Sequence, residues 1–331
     1  MTAANATFIG NGAAANDRSD EATLATMRNP SHLDYPAFLV NAPFSLSADV
    51  PNNVWMEEIP EVDRKIDRHH AMVQFLEVFS VLSAGALVYV LPTPRTTGLQ
   101  DLVYTANLGI VPTHLEDVND VVVSNFTSEP RRAETPVGVA FFESMGYRTT
   151  VCPWRFEGEA DLKHLRGNVY VGGYGMRSQR EAYDWFEREY DMNVIKLEMT
   201  IPYLYHLDCS LFPITEDATI VYAEAYRPEE IAELEKHTHV IDVSKKSAYA
   251  GICNSVRSGK TIINSSCLHN LKIGTDAYDE EKFKIYELEK IAGSQGFELV
   301  LVNVDEYFKS GALLSCMVMH LNRSSYRIAL M

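Results

Sequence analysis

Four short segments of the chain concentrate reactive side chains at points where strands are predicted to end, namely residues 99–107, 156–161, 205–208 and 311–316. Together they hold a thiol, an imidazole, several carboxylates and a carboxamide. A thiol with an imidazole and carboxylates nearby can attack an electrophilic carbon while protons move to and from the reacting groups. Because the segments are far apart along the chain, they form one site only if the fold brings these strand ends together.

The spacing within two of these segments favours different roles for their residues. In the predicted strand around His206, side-chain alternation places His206 and Asp208 on one face and Leu207 and Cys209 on the other. Two titratable groups are therefore expected to face the same way. Cys316 lies in an otherwise apolar run, and spacing alone favours an inert core cysteine at this position.

The elements that must position these groups alternate between strands and helices. Helices are predicted over residues 61–83, 134–145, 178–190, 228–236 and 279–292. Strands are predicted over residues 86–91, 121–126, 147–152, 168–171, 194–199, 206–212, 219–223, 239–243, 261–264, 297–303 and 313–320. Strands outnumber helices, so short β-hairpins with intermittent helices fit better than a doubly wound sheet. We expect one compact domain over residues 34–331 behind a mobile tail over residues 1–33.

The overall charge of the chain favours a small cationic partner. Of its 331 residues, 29 are Lys or Arg and 45 are Asp or Glu, so the formal net charge is −16. This acidic excess argues against nucleic acids and anionic membrane surfaces as partners, and no transmembrane segment is predicted. The first thirty residues resemble neither a secretory signal nor a transit peptide. Five widely spaced cysteines without a CxxC pair indicate a reducing compartment, and we expect a cytoplasmic protein.

Three other patterns that suggest cofactor or metal chemistry are incomplete. Residues 258–261 match the end of a phosphate-binding loop, but Asn254 occupies the position that the first glycine requires. Residues 173–178 lie between a strand and a helix, as in a dinucleotide-binding turn, yet the third glycine of that fingerprint is missing. The histidines within 69–70 and 237–239 have no partners at metal-binding spacing. We therefore predict no cofactor and no metal site.

The reactive segments, taken in order, resemble the guanidino-group-modifying enzymes of the pentein superfamily. Residues 101–107 are similar to that family's substrate loop in the variant that ends Thr-Ala-Asn, where arginine deiminases have Thr-Arg-Asp. Residues 156–161 resemble its Glu-Gly-Glu-Gly-Asp stretch, with Ala160 in place of Gly, and residues 206–208 match its His-Leu-Asp. Residues 311–316 stand where the family's catalytic cysteine closes the chain.

The resemblance covers nearly all of residues 35–321 and includes two further motifs. Residues 53–56 resemble the family's Asn-Pro-Trp-Met element, with Val54 replacing Pro, and residues 173–177 resemble its Gly-Tyr-Gly-Phe-Arg. The resemblance implies an α/β fold, a five-bladed α/β propeller with pseudo-fivefold ββαβ-type modules around a polar central channel. In motifs the chain is closest to arginine dihydrolases, arginine deiminases and dimethylarginine dimethylaminohydrolase-like proteins.

The resemblance also implies roles for the catalytic residues. Cys316 is the expected nucleophile, whose thiolate attacks the guanidino carbon to give a thiouronium intermediate. His206 is expected to protonate the departing amine and then to activate water. An acidic residue orients His206 or the guanidinium group. Glu157 is the first choice and Glu159 the second, because the extra residue within 156–161 leaves the alignment open.

Further residues are implied to bind a free amino acid that carries a guanidinium group. Asp208 and Asp161 are the candidates for binding the guanidinium, since carboxylates match its charge. Arg177 and Arg131, together with Asn53, are the candidates for binding the substrate carboxylate. For Arg131, a solvated position on the surface is an equally good interpretation.

Asn107 is the residue that bears on how many hydrolytic cycles take place. An aspartate there would pair with the guanidinium group but would face the oxygen of citrulline without a hydrogen to donate. A carboxamide has both a donor and an acceptor, so it suits arginine and citrulline in turn. The alternative is that Asn107 only caps a turn.

The leading hypothesis is hydrolysis of arginine, either once to citrulline and ammonia or twice to ornithine, two ammonia and carbon dioxide. Hydrolysis of an Nω-substituted arginine and amidino transfer are alternatives within the same chemistry, and transfer ranks last because the family's transferases open with different motifs. A pentein-fold binding protein is the non-enzyme alternative, and retention of Cys316, His206 and carboxylates argues against it. A papain-like protease has an early cysteine at a helix start, unlike Cys316. A homo-oligomer is left open.

Overall fold

The fold repeats one unit, a strand pair followed by a helix and a third strand. A computed structural model describes residues 29–96, 98–115 and 119–327. Within these residues there are five three-stranded sheets. In each, the middle strand pairs antiparallel with one neighbour and parallel with the other. A helix spans every parallel connection, as parallel pairing requires a crossover.

The described strands are β1 (Ala37–Asn41), β2 (Leu87–Leu91), β3 (Gly109–Ile110), β4 (Asp120–Val123), β5 (Arg148–Val151), β6 (Leu162–Arg166), β7 (Val169–Tyr174), β8 (Asn193–Glu198), β9 (Leu211–Pro213), β10 (Ala218–Val221), β11 (His239–Asp242), β12 (Val256–Ser258), β13 (Thr261–Ser265), β14 (Glu298–Val302) and β15 (Met319–His320). The described helices are α1 (Val54–Glu58), α2 (Arg68–Ser83), α3 (Glu134–Ser144), α4 (Arg180–Tyr190), α5 (Pro228–Leu234), α6 (Lys245–Tyr249), α7 (Asp276–Ser294), α8 (Asp305–Phe308) and α9 (Ser324–Arg327).

The two ends of the described chain close the ring of sheets. The strand orders are β15-β1-β2, β3-β4-β5, β6-β7-β8, β9-β10-β11 and β12-β13-β14. The last strand pairs with the first, with Phe38 opposite His320 and Leu39 opposite Met319. Five ββαβ-type modules joined in this way form a five-bladed α/β propeller, which confirms the predicted fold class.

Helix α4 illustrates how a helix packs on its sheet. Its Tyr183 and Phe186 are fully buried in one apolar cluster with Tyr170 of β7. The Tyr183 hydroxyl donates a hydrogen bond of 2.6 Å to the backbone oxygen of Gly173. A Cβ atom at Gly172 would lie 2.8 Å from the Tyr183 ring. The glycines of this strand therefore permit close helix–sheet packing, in line with a structural turn rather than a nucleotide-binding one.

Short turns before the first strand of four of the five blades carry the reactive segments. 3-10 turns over Thr105–Asn107, Gly158–Ala160, Leu207–Cys209 and Leu314–Met317 precede β3, β6, β9 and β15. The turn Thr105–Asn107 contacts the turns Gly158–Ala160 and Leu314–Met317. Equivalent turns of different blades therefore meet, although their residues are far apart in sequence.

Two segments predicted as strands are largely such turns, so the strand geometry assumed for residues 206–209 is wrong. Residues 206–212 begin with backbone hydrogen bonds from Cys209 to His206 and from Ser210 to Leu207, and residues 313–320 contain the turn Leu314–Met317. Leu207 and Leu314 are fully buried. Apolar residues that alternate in a buried 3-10 turn give the same sequence pattern as a strand, which explains the error.

Two predicted boundaries also change. The helix predicted over 61–83 begins at Arg68, because the Asp67 side chain accepts hydrogen bonds from the backbone nitrogens of His69 and His70 and so caps the helix there. Residues 29–33, predicted to belong to the mobile tail, pack on the propeller, where Ser31 Oγ lies 2.6 Å from the hydroxyl of Tyr147. Residues 1–28 of that tail lie outside the described residues. No helix among the described residues is long and apolar enough to cross a membrane.

Candidate active site

One cavity receives residues from four blades. It has about 300 Å³ of empty space, part of it continuous with solvent. Seven sequence-predicted site residues line it, namely Asn53, Asn107, Arg131, Glu157, Arg177, His206 and Cys316. It is also lined by Asn52, Asp101, Tyr104, Tyr205, Ser310 and Ala312. The propeller therefore assembles a thiol, an imidazole, carboxylates and guanidinium groups around one small space.

The thiol of Cys316 is nearly buried and lies beside a carboxylate. Cys316 is 4% exposed, and its Sγ lies 3.5 Å from Asp208 Oδ2. Burial and the neighbouring Asp208 raise the pKa of Cys316 to about 12. In the empty cavity at neutral pH the thiol is therefore protonated. A cation placed beside it favours the thiolate by direct charge attraction.

His206 is held by a buried glutamate. Its Nε2 lies 2.8 Å from Glu157 Oε2, and because a carboxylate only accepts hydrogen bonds, Nε2 carries the proton. Burial alone would raise the pKa of Glu157, but the hydrogen bond from His206 and the nearby Arg177 lower it to about 2. The Asn107 side-chain amide lies 3.3 Å from the same ring nitrogen. His206 thus has a fixed ring orientation and an anion that stabilises its protonated form.

Glu159, the second choice for this role, has a different partner. Its Oε1 lies 2.6 Å from His320 Nδ1, and its Oε2 accepts a hydrogen bond of 2.8 Å from the backbone nitrogen of His320. Glu159 is not among the residues that line the cavity. Of the two glutamates between which the sequence left the alignment open, the structure brings Glu157 to His206.

The two aspartates predicted to bind guanidinium lie in different surroundings. Asp208 is fully buried and accepts a hydrogen bond of 2.5 Å from Ser315 Oγ in addition to its contact with Cys316. Neither Asp208 nor Asp161 is among the residues that line the cavity. Asp161 accepts hydrogen bonds from Ser178 Oγ at 2.6 Å and from the backbone nitrogen of Leu207 at 3.2 Å. Burial raises the pKa of Asp161 to about 7. The structure brings Asp208, and not Asp161, to the thiol.

The two arginines both line the cavity. Arg131 is 4% exposed and pairs with Glu134 at 2.7 Å, so the interpretation of Arg131 as a solvated surface residue is wrong. Arg177 donates a hydrogen bond of 2.5 Å to the backbone oxygen of Asn52, and its guanidinium carbon lies 5.0 Å from the centre of the Tyr205 ring. Both guanidinium groups therefore lie at the wall of the cavity that Cys316 also lines.

Asn53 has a structural role that its sequence motif did not reveal. Its Oδ1 accepts a hydrogen bond from the backbone nitrogen of Met56 and caps α1, while its Nδ2 donates to the backbone oxygen of Ser310 at 3.0 Å. Gly311 has a φ of +81°, and a Cβ atom there would lie 2.4 Å from Asn53 Oδ1. Asn53 thus joins the start of α1 to the segment that leads to Cys316.

Asp101 lines the cavity and begins the substrate-loop motif over residues 101–107, but the motif predicted no role for it. Its Oδ2 accepts a hydrogen bond of 2.7 Å from Asn52 Nδ2, and its Oδ1 is buried without a partner among the described residues. Burial raises the pKa of Asp101. A buried carboxylate oxygen without a partner is costly unless a donor or cation occupies the space beside it. Its place in the substrate loop, six residues before Asn107, was the available signal.

A group of potential metal ligands occurs elsewhere. His70, Asp305 and Glu306 bring ligand atoms within 4.8 Å of one another, and none of the three lines the cavity. Asp305 already accepts hydrogen bonds of 2.5 Å from Gln74 and Asn270. These contacts account for Asp305 without a metal ion.

Comparisons with known proteins assign the sequence to one family. The sequence fits the model of a family described as N,N dimethylarginine dimethylhydrolase, eukaryotic, over residues 42–323. A Nostoc protein, the bifunctional arginine dihydrolase/ornithine cyclodeaminase AgrE, is 27% identical over 85% of this chain and 37% of its own length. The N(G),N(G)-dimethylarginine dimethylaminohydrolase of Mycobacterium tuberculosis is 25% identical over 68% of each chain. The chain thus spans well under half of the bifunctional relative.

A solved structure of the Nostoc protein has the same architecture. The complex of an AgrE cysteine-to-alanine mutant with L-arginine superposes with a TM-score of 0.75 at 25% identity and covers 88% of this chain and 40% of that chain.

Proposed function

The chain belongs to the eukaryotic N,N dimethylarginine dimethylhydrolase family of the pentein superfamily, and on this basis we propose that it hydrolyses the guanidino group of free arginine through Cys316. Family membership supports the coarser conclusion, a hydrolase of guanidino groups on arginine-like substrates. One observation carries the finer proposal. The Cys316 thiol, the His206–Glu157 pair and the Asn107 amide line the same small cavity.

The charges around the cavity suit a zwitterionic amino acid with a cationic end. Asp208 lies 3.5 Å from the sulfur, so a guanidino carbon under attack is also close to a carboxylate that balances its charge. Arg131 and Arg177 can bind the substrate carboxylate at the cavity wall. The unpartnered oxygen of Asp101 can accept hydrogen bonds from the α-ammonium group.

The substrate itself supplies the positive charge that favours ionisation of the Cys316 thiol. The raised pKa of Cys316, about 12, keeps the empty enzyme in its unreactive thiol form. A bound guanidinium cation adjacent to the sulfur lowers this pKa, because an opposite charge within a few ångströms favours the ionised group. Cys316 is therefore activated when a cationic substrate is present, which protects the thiolate from unrelated electrophiles.

The first hydrolytic cycle forms and breaks one carbon–sulfur bond. The Cys316 thiolate adds to the guanidino carbon, the bond to a terminal nitrogen breaks, and ammonia leaves with a proton from His206. A thiouronium remains on the sulfur. Water then attacks the same carbon while His206 accepts its proton, the carbon–sulfur bond breaks, and citrulline and the thiolate are released. Glu157 stabilises the charged form of His206 in both steps.

The second cycle depends on retention of citrulline by Asn107. The thiolate released at the end of the first cycle adds to the ureido carbon, ammonia leaves with a proton from His206, and water hydrolyses the resulting S-thiocarbamate to a carbamate, which loses carbon dioxide to give ornithine. In sum, arginine and two waters give ornithine, two ammonia and carbon dioxide. Asn107 is 1% exposed and its amide lies beside His206, a position that supports substrate contact rather than simple turn capping. An amide can turn either its oxygen or its NH₂ group toward the substrate.

Amino-acid analysis after complete conversion of arginine tests the proposal. We expect the wild-type protein to give mainly ornithine and Asn107→Asp to stop at citrulline. Asn168→Asp, the same chemical change at an exposed asparagine, is the control and should give ornithine. If the wild type yields only citrulline, a single deimination replaces the double one. If it consumes neither arginine nor citrulline, the arginine assignment is wrong.

A second candidate substrate is supported by the family description and by the mycobacterial relative. In Nω,Nω-dimethylarginine the leaving group is dimethylamine, and the thiolate, His206 and Glu157 keep the same roles. Parallel measurements of dimethylamine and ammonia release separate the two substrates. A kcat/KM for dimethylarginine at least about tenfold above that for arginine would make it the better substrate and exclude our first choice.

A further inference from the structure

Asn254 is a buried residue next to the thiol that the chemistry above does not use. It is 3% exposed and lies in the turn that joins α6 to β12. Its Oδ1 accepts a hydrogen bond of 2.8 Å from the backbone nitrogen of Ser315, and its Nδ2 lies 3.7 Å from Cys316 Sγ. A single carboxamide thus contacts both the backbone and the side chain of the nucleophile segment.

The orientation of this amide is fixed by its partner. A backbone N–H group can only donate, so the atom that faces Ser315 must be the oxygen. The NH₂ group therefore faces the sulfur of Cys316. An N–H group that points at sulfur interacts more strongly with a thiolate than with a neutral thiol, because hydrogen bonds to charged acceptors are stronger.

The turn that carries Asn254 is held rigidly. Asn264 Nδ2 donates hydrogen bonds to the backbone oxygen of Gly251 at 3.0 Å and to Ser255 Oγ at 2.8 Å. Gly251 has a φ of +86°, and a Cβ atom there would lie 2.3 Å from Leu313 Cδ1. The turn therefore packs directly on the segment that ends in Cys316, and Asn254 has little freedom to leave it.

Asp208 acts on the same sulfur in the opposite sense. Its Oδ2 accepts a hydrogen bond from the thiol at 3.5 Å, an interaction that exists only while the sulfur is protonated. Cys316 thus lies between an acceptor that favours the thiol and a donor that favours the thiolate. The other titratable groups that face it are Tyr104, Tyr205, His206 and Cys209.

We propose that Asn254 is a positioning residue that stabilises the thiolate of Cys316 through its Nδ2 hydrogen bond. The fifth blade, β12-β13-β14, thereby contributes to the site alongside Asn107, Glu157 and His206 from the second, third and fourth blades. Asn254 is not among the residues that line the active-site cavity, and in this role it acts only on the ionisation and direction of the sulfur. The inference deepens the proposed function and rests on Cys316 as its nucleophile.

The test measures thiolate formation and needs no substrate. The protein is treated with iodoacetamide at fixed pH values from about 6 to about 10. In this range, below the pKa of Cys316, the alkylation rate of the Cys316 peptide, followed by mass spectrometry, is proportional to the thiolate fraction. We expect Asn254→Ala to raise the apparent pKa of Cys316 by about one unit, and so to slow alkylation at neutral pH about tenfold. Asp208→Asn should shift the pKa in the opposite direction by a similar amount.

Opposite shifts of the Cys316 pKa in Asn254→Ala and Asp208→Asn distinguish this role from a merely structural one. If the two residues only hold the turn, both variants change the alkylation rate in the same direction or leave it unchanged, and the proposal fails. Asn254→Asp keeps the acceptor for Ser315 and continues the test if Asn254→Ala does not fold, again with slower alkylation expected. Because the measurement needs no arginine, opposite shifts without arginine hydrolysis would overturn the proposed function while this inference stands.

Discussion

Two glutamate–histidine pairs lie close together in this protein, and only one of them lines the cavity with the thiol. Glu157 lies 2.8 Å from His206, and Glu159 lies 2.6 Å from His320. Both glutamates are buried, which alone would raise the carboxyl pKa, but in both the histidine contact together with other nearby cationic side chains lowers it to about 2. Such a pair alone therefore does not define a catalytic site. The catalytic site is defined by the nucleophile and the open space beside the pair.

The backbone explains how two neighbouring glutamates reach different surroundings. They flank Gly158, which has a φ of +67° and whose Cβ atom, if present, would lie 2.5 Å from the backbone oxygen of Ala106. This close approach fixes the turn against the substrate loop. Glu157 then points to the cavity, whereas Glu159 also binds the backbone nitrogen of His320 in β15, the strand that closes the propeller. We infer a catalytic role for the first pair and a structural role for the second.

The largest expected effect concerns the catalytic pair and its nucleophile. Cys316→Ala and His206→Ala should each reduce arginine turnover by about 10³-fold or more, and the double variant should be little worse than either, since both groups serve the same intermediate. Steady-state ammonia release provides the measurement. Cys267→Ala, which removes a half-buried thiol outside the cavity, is the control. Additive losses would show that the two groups do not act as a unit.

The comparison of the two glutamates is sharpened by the same substitution in each. Glu157→Gln should lower kcat by about 100-fold, because His206 loses the anion that stabilises its protonated form. Glu159→Gln should leave kcat within about threefold but lower the free energy of unfolding by about 1–3 kcal/mol, because buried contacts to His320 are weakened. Kinetics and urea denaturation on both variants provide the measurements. A large loss of kcat in Glu159→Gln without a loss of stability would reverse the assignment.

The two pairs should behave alike in one respect, their sensitivity to acid. Each glutamate has a folded-state pKa near 2, below the value of about 4.3 for an unfolded chain. Each therefore contributes stability that is present above about pH 4.3 and is lost as the pH falls toward 2. Urea denaturation at a series of acidic pH values should show a shallower loss for Glu157→Gln and for Glu159→Gln than for the wild type. If the free energy of unfolding of either variant falls with decreasing pH as steeply as that of the wild type, the pair in question does not stabilise the folded state.

The helices were the most predictable part of the fold, whereas β3, β6 and β12 were not among the predicted strands. The helices over 178–190 and 228–236 were expected within two residues of the observed ends, since a helical spacing of apolar residues extends over several turns. The turns that carry His206 and Cys316 were predicted as strands. Their apolar residues are buried on neighbouring blades, and a single sequence does not distinguish such burial from strand alternation.

The candidate site was predictable in composition but not in arrangement. The motifs drew attention to Glu157, Glu159 and Asp161 together, yet only Glu157 reaches the cavity, because a 3-10 turn directs neighbouring side chains to different sides. Arg131 is buried where its guanidinium group donates hydrogen bonds to the backbone oxygens of Asp101 and Tyr104. Such contacts between distant segments leave no local signal in the sequence.

The central claim is that Cys316 attacks the guanidino carbon, and trapping the intermediate tests it most directly. The wild-type protein is mixed with arginine and quenched in acid during turnover, and the peptides are mapped by mass spectrometry. We predict an adduct on the peptide that contains Cys316, absent from Cys316→Ser and from a sample without arginine. An adduct on Cys209 instead, or active turnover with no adduct on any cysteine, would contradict the account.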